Sequence, residues 1–333
     1  MFDPIICEVT RGTMVESRHR VHAMVCDASG PVKVWGDPDL MFYPRSAIKF
    51  MQSLPLVESG AADAYGVAEA ELALASASHS GTASHVEAVA AWLGRLGLSG
   101  DHLRCGAHLP YDIEAAHDLI RAGKAPSRLN NNCSGKHTGF LTTALHLHEP
   151  LDGYLDTDHP VQRRLFDILE LLGGQTLADT GRGRDGCGIP IYGMTLTALA
   201  TAAWKMADPR GLGEARGKAV KRILDAVTGK PFMVGGPGRF DTDVMTQLGG
   251  RIATKGGAEG VHIAILPEKG LGIALKAEDG EKRAADVAMG WLLDQAGLIG
   301  AADRKKLAAH LAPTVFNAAG DAVGVIRIAA EAA

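Results

Sequence analysis

The sequence predicts an α+β protein, with an antiparallel sheet drawn from both ends of the chain and a helical layer between them. Three observations predict it. Short apolar runs bounded by turn residues fill the first 36 positions and return after about position 251. The residues between carry apolar side chains at helical spacing. No internal repeat, heptad register or low-complexity tract breaks this order. Terminal strands on one sheet, covered by the middle helices, let each layer bury its apolar face.

Taken in order, Ile5 to Thr10, Val15 to Glu16, Val21 to Asp27 and Val32 to Trp35 read as a β-meander, with Ala28-Ser29-Gly30-Pro31 as its last turn. Ser46 to Pro55, behind Pro44, opens the helical part. Glu69 to Ala77, Ala83 to Leu96 (capped by Thr82 or Ser84), Ile113 to Ala122 and Lys136 to His146 follow. Pro160 to Leu172 has proline in its first turn and Gly173 at its end. Leu196 to Met206 and Glu214 to Thr228 complete the series. Arg251 to Thr254, Val261 to Leu266 and Leu271 to Lys276 are strands, the last two joined through Pro267-Glu268-Lys269-Gly270. Arg283 to Gln295 and Ala301 to Leu311 are helices, Val323 to Ile328 is one more strand, and Ala329 to Ala333 is a frayed tail. Residues 1–333 read as a single domain, its sheet parts about 1–45 and 250–330 and its helical part about 46–249.

Composition narrows the function. Of 333 residues 46% are hydrophobic and 22% charged, enough to build a core and too apolar for disorder. The formal net charge of −4 argues against nucleic acid as a partner, since phosphate binding needs concentrated basic surface. The uncharged stretch Gly186 to Trp204 is diluted by Gly, Pro, Tyr and Thr, so no membrane span is expected. Met1 to Ile6 carries Asp3 and Pro4 where a signal peptide has basic and then apolar residues, and a soluble cytoplasmic protein is the expectation. Five cysteines do not describe a disulfide framework; an important one would be a thiol or a metal ligand.

Several stretches can carry chemistry. In Ser46-Ala47-Ile48-Lys49 a serine and a lysine stand one helical turn apart, so the amine can take the hydroxyl proton. Read blandly, the pair is a helix cap and a solvated lysine. Ser78, in Ala77-Ser78-His79-Ser80-Gly81-Thr82, is a second hydroxyl or an ordinary loop residue. Thr254-Lys255-Gly256-Gly257 follows a strand. The order Ser46-x-x-Lys49, Ser78, Lys255-Gly256-Gly257 matches that of penicillin-recognising serine enzymes, although the central S-D-N box is missing and Gly256 stands where those enzymes have threonine. Cys133, in Asn130-Asn131-Asn132-Cys133-Ser134-Gly135-Lys136-His137, and Cys187, in Arg184-Asp185-Gly186-Cys187-Gly188, lie in polar turns, unlike Cys7 and Cys26 in strands. Two such thiols beside Lys136, His137 and Asp185 make either a zinc site or a pair of structural turns, and His137 is the more ordinary ligand by chemical type. Gly235-Gly236-Pro237-Gly238-Arg239-Phe240-Asp241-Thr242 lacks phosphate-loop spacing and reads as a shaped loop or lid.

Together these residues resemble the asparaginase II family of the Rhizobium etli type, the thermolabile class. The carriers are Arg11-Gly12 with Val15-Glu16-Ser17-Arg18-His19, Pro44-Arg45-Ser46-Ala47-Ile48-Lys49, Ala77-Ser78-His79-Ser80-Gly81, Asn132-Cys133-Ser134-Gly135-Lys136-His137, Asp185-Gly186-Cys187-Gly188-Ile189-Pro190 and Lys255-Gly256-Gly257-Ala258-Glu259-Gly260. The resemblance implies a fold like that of serine β-lactamases and penicillin-binding proteins, a homodimer, and hydrolysis of L-asparagine to L-aspartate and ammonia. It implies two Ser–Lys tandems, Ser46 with Lys49 and Ser78 with Lys255, and a zinc ion (Zn2+) held by Cys133, Lys136 and Cys187, with His137 and Asp185 in support. On this reading Ser46 attacks the amide with Lys49 as base, and the two serines can exchange roles. Arg45 is a candidate carboxylate clamp or a structural ion pair. The competing expectations are a glutaminase or other serine amidohydrolase, a zinc-stabilised amino-acid-binding protein without turnover, and a purely structural zinc.

Overall fold

The computed structural model describes residues 2–330. Its strands are β1 (Ile5–Arg11), β2 (Met14–Asp27), β3 (Gly30–Trp35), β4 (Met41–Phe42), β5 (Arg182–Arg184), β6 (Pro190–Tyr192), β7 (Met194–Thr195), β8 (Ala253–Gly256), β9 (Val261–Leu266), β10 (Leu271–Ala277), β11 (Thr314–Phe316) and β12 (Ala322–Ile328). Eight of them form one antiparallel sheet in the order β11-β12-β1-β2-β10-β9-β8, with β3 also paired to β2. The sheet therefore joins the two ends of the chain: Cys7 faces Ile328 across β1 and β12, and Met24 faces Ala274 across β2 and β10. The expected α+β architecture is what the chain adopts.

Alternation decides which face meets which layer. On β2, Val21, Ala23 and Val25 pack with Ile5, Cys7 and Ile273 under the helix Lys282–Gln295. Met24 and Cys26 point the other way, into the core built by Leu196–Ala207, Glu214–Gly229 and the short helices after Phe42. Leu196–Ala207 lies so close to the sheet that a Cβ on Gly272 would stand 2.0 Å from Trp204 N. Only glycine permits that approach. A third apolar cluster, with Leu74, Val89, Phe140 and Tyr154, sits within the helical part and holds Cys133 and Cys187.

Local chemistry explains most element ends. Thr82 is the N-cap of Ala83–Arg95, and its N–H is met by His85 Nδ1 at 3.2 Å. Gly174, with φ of +63°, ends Pro160–Gly173. Three expectations change. The two predicted runs Val15 to Glu16 and Val21 to Asp27 are one strand of 14 residues, because the polar Ser17–Arg20 stretch still pairs with β1. The predicted helix Ala301 to Leu311 breaks into Ala301–Lys306 and Ala308–Leu311 around Leu307. The predicted loop around Gly235 to Thr242 is a loop only in its glycine half; Phe240–Leu248 is a helix whose Phe240 and Val244 pack on the sheet. The tail predicted to fray reaches beyond the described residues. No helix among those described is long and apolar enough to cross a membrane.

Candidate active site

A cavity of about 470 Å³ opens where the end of β8, the turn after Pro44 and the helical part meet. Its wall includes Ser46, Ser78, Cys133, Asp185, Arg239 and Gly257. Ser46 stands on the tight helical turn Arg45–Ile48. Gly257 lets the strand end reach that turn: a Cβ there would lie 3.1 Å from Ala47 N, 3.2 Å from Pro44 O and 3.3 Å from Ser46 N. Arg45 holds the left-handed φ of +50°, uncommon for a residue with a side chain. Its Nε donates to Asp185 Oδ1 at 2.7 Å, which fastens the strained turn to the loop ahead of Cys187.

Behind the serines lies Lys49, fully buried. Its Nζ donates to Ala77 O at 2.6 Å and lies 2.9 Å from Ser78 Oγ and 3.0 Å from Cys133 Sγ. The hydroxyl that Lys49 meets is thus on Ser78, although the sequence spacing pairs it with Ser46. Ser78 is itself placed by its backbone N–H, which donates to Val234 O at 3.0 Å.

Lys255 approaches from β8 and is also fully buried. It donates to Asp241 Oδ2 at 3.1 Å and to Gly256 O at 2.6 Å. Asp241 further accepts from Gly256 N at 3.0 Å, and its Oδ1 lies 3.2 Å from His262 Nε2. Burial lowers Lys255 to about 8, outweighing the upward pull of Asp241. Burial would raise Asp241, but Lys255 and His262 hold it well below the usual carboxylate range.

The sulfur side is a second cluster. One ligand atom each from Cys133, Asp185 and Cys187 lie within 4.8 Å of one another. Lys136 Nζ is 3.2 Å from Cys187 Sγ. Asn131 Oδ1 accepts the Cys133 N–H at 2.8 Å and so sets that thiol's turn. The neighbouring Cys187 and burial push the Cys133 thiol up, while Cys133 and Lys136 pull the Cys187 thiol down despite its burial. Burial would lower Lys136, but Cys187, Cys133 and Asp185 raise it instead. Asp185 sits at about 2, its burial outweighed by Lys136 and Arg45. His137 is pushed down to about 3 by burial and by Lys136. Its Nδ1 meets Tyr154 OH at 2.8 Å, and its Nε2 is buried without a partner among the described residues.

The family model described as L-asparaginase II matches residues 7–328. The chain belongs to the L-asparaginase II family. That is a family of asparaginase-type hydrolases, which act on small molecules. No curated protein matches the chain. Among solved structures, Mglu in 4.3 M NaCl is 15% identical over 84% of this chain with a TM-score of 0.44, and this chain spans 61% of Mglu's length. A β-lactamase from Mycobacterium bovis is 15% identical over 84% of this chain and 94% of its own, with a TM-score of 0.39. One from Sphaerobacter thermophilus is 19% identical over 84% and 92%, with a TM-score of 0.41.

Of the site residues expected from sequence, Arg45, Ser46, Ser78, Cys133, Asp185 and Cys187 line the cavity of this L-asparaginase II family member. Lys49, Lys136, Lys255 and His137 are buried behind its wall. Sequence reasoning missed Asp241, His262 and Arg239. Asp241 and Arg239 fall in the stretch read as a lid, and their signal was two charges in an otherwise glycine-rich and apolar run. His262 sits in an apolar strand pattern, where a lone polar residue was the available clue.

Proposed function

We propose that this protein hydrolyses L-asparagine to L-aspartate and ammonia through an ester on a serine of this cavity. The observation that carries the reading is Lys49 Nζ at 2.9 Å from Ser78 Oγ, behind a wall that Ser46 and Ser78 share. A serine hydroxyl attacks only when a neighbour takes its proton, and a neutral lysine amine can do so. Ser46 Oγ forms the bond to the side-chain amide carbon and its proton passes to Lys49. The C–N bond then breaks as Ser78, backed by Lys255, delivers a proton to the departing ammonia. Water cleaves the ester: its hydroxyl joins the acyl carbon to free L-aspartate, its proton replaces the one Ser78 gave up, and Lys49 returns its proton to Ser46 Oγ. The Lys49–Ser78 contact also favours the exchanged assignment, with Ser78 attacking and Ser46 carrying protons.

The same reading gives Cys133, Lys136 and Cys187 to a zinc ion, with His137 and Asp185 close by in supporting roles. Donor chemistry supports the fit: two buried thiols, a carboxylate and an amine converge on one point. Zinc bound there would supply a fixed positive charge beside the cavity. Asp185 and Arg45 would orient the substrate under it. The finer class is the Rhizobium etli type, thermolabile, acting as a cytoplasmic homodimer of single-domain chains.

Ammonia release from L-asparagine and L-glutamine, by the parent and by Ser46→Ala and Ser78→Ala at equal concentration, tests the reading. Release from asparagine by the parent and its loss in a folded serine variant are expected. One methylene separates the two amides, worth about 1–3 kcal/mol in a pocket, so equal or faster glutamine turnover would replace asparaginase with glutaminase. A parent that binds asparagine without releasing ammonia would be a binding protein.

A further inference from the structure

Among the described residues, the charged side chains that line the cavity pair off, and one cation is left over. Arg45 is joined to Asp185 at 2.7 Å. Lys282 is joined to Asp286. Asp241 is spent on Lys255 at 3.1 Å and His262 at 3.2 Å. Arg239 lines the same cavity and, among the described residues, has no carboxylate within 4.0 Å. Its charge still reaches inward, where it lowers both Asp241 and Lys255.

The stem of Arg239 is fixed even though its head is unpaired. Its Cβ and Cγ lie 3.1 and 3.5 Å from the point where a Cβ on Gly235 would stand. It is the N-cap residue of Phe240–Leu248, so its backbone is tied to a helix packed on the sheet. A planar guanidinium held over a cavity with its charge unspent fits a carboxylate by two parallel N–H donors. Arg45 and Lys282 already have their charge balanced by a carboxylate, and Arg239 does not.

We propose that Arg239 binds the α-carboxylate of the amino-acid substrate and so sets the selectivity for α-amino-acid amides. The inference rests on the asparaginase reading of this cavity and adds the residue that recognises the part of the substrate away from the scissile amide. Binding that end fixes where the side-chain amide stands relative to the two serines.

The test compares L-asparagine with 3-aminopropanamide, the same amide without its α-carboxylate. The parent is expected to prefer asparagine in kcat/KM by about 100-fold or more, as sites built to bind a polar group reject its absence. Arg239→Met, and Arg239→Gln as a second variant should the first fail to fold, are expected to cut that preference to below about tenfold. The cut comes from the asparagine side, mainly through KM, with the rate on 3-aminopropanamide little changed. Arg45→Met is expected to lower both rates together and keep the preference. A preference that survives in folded Arg239→Met or Arg239→Gln, or that collapses in Arg45→Met instead, overturns the inference while leaving the asparaginase reading intact. A parent that releases ammonia from neither amide overturns both.

Discussion

Lys49 Nζ lies 2.9 Å from Ser78 Oγ and 3.0 Å from Cys133 Sγ, so one buried amine joins the hydroxyl side of the cavity to its sulfur side. Lys49→Met removes the proposed base and leaves Ala77 O, Ser78 Oγ and Cys133 Sγ without that partner. The expected loss in kcat is about 10²- to 10⁴-fold, the usual worth of a positioned acid or base. Melting temperature is also expected to fall, since an unsatisfied buried acceptor costs about 1–3 kcal/mol. Steady-state ammonia release and thermal unfolding of the same preparation separate the two effects. A folded variant at full rate would take Lys49 out of the mechanism.

Lys255 gives a signed pH prediction. Burial brings it to about 8, Asp241 pulls upward, and Lys49 and Arg239 push further down. If its ammonium backs the proton donor, activity falls as pH rises through about 8. Asp241→Asn removes the one upward pull, so the alkaline limb of kcat/KM is expected to move to lower pH by about one unit or more. His262, next to Asp241 and 3.6 Å from Asp286, faces the same pair and is kept in both proteins. An unmoved limb in a folded variant would uncouple Asp241 from Lys255. Stability follows its own sign. The folded value is below the unfolded one of about 10.4, so the unfolded chain binds more protons between them. The contribution to stability therefore rises as pH climbs from about 8 to about 10. Denaturant midpoints across that range check it.

The thiol cluster predicts one zinc per chain. Cys133→Ser or Cys187→Ser is expected to lower zinc content well below one equivalent by elemental analysis. In the parent, a chelator is expected to lower the melting temperature and added zinc to restore it. Loss of activity with the fold retained would exclude a purely structural ion. Full zinc content in Cys187→Ser would take that thiol out of the ligand set.

Gly257→Ala tests the close approach at Ser46. The atoms a new Cβ would meet are backbone, at 3.1 to 3.3 Å, and cannot swing aside. Strain of about 1–3 kcal/mol is expected, with a lowered melting temperature and reduced turnover. Gly250→Ala, where a Cβ meets nothing within 4 Å, is the control expected to leave both near the parent's.

What the sequence makes legible is local. Pro267-Glu268-Lys269-Gly270 announces the β9–β10 turn, and Gly270 takes the left-handed φ that such a turn needs. Proline at the first position and glycine at the end bound Pro160–Gly173. The two-residue pairing of β4 with β7 escapes notice because strands that short have no period to read. Phe240–Leu248 hides behind the glycines that precede it. Ser46, Lys49, Ser78 and Lys255 can each be picked out from motifs, but their partners cannot. Lys49 meets Ser78 across 29 residues and Lys255 meets Asp241 across 14, contacts that tertiary folding alone creates.

The pairing of β1 with β12 has a consequence for synthesis. β1 leaves the ribosome before β12, its neighbour on one side, which is made about 310 residues later. At roughly 5–20 residues per second that is a wait of some tens of seconds. Through it the nascent sheet keeps one open border, where another unfinished chain can add a strand. Strong overproduction is therefore expected to favour inclusion bodies over soluble protein, and slowing initiation or lowering temperature to reverse the balance.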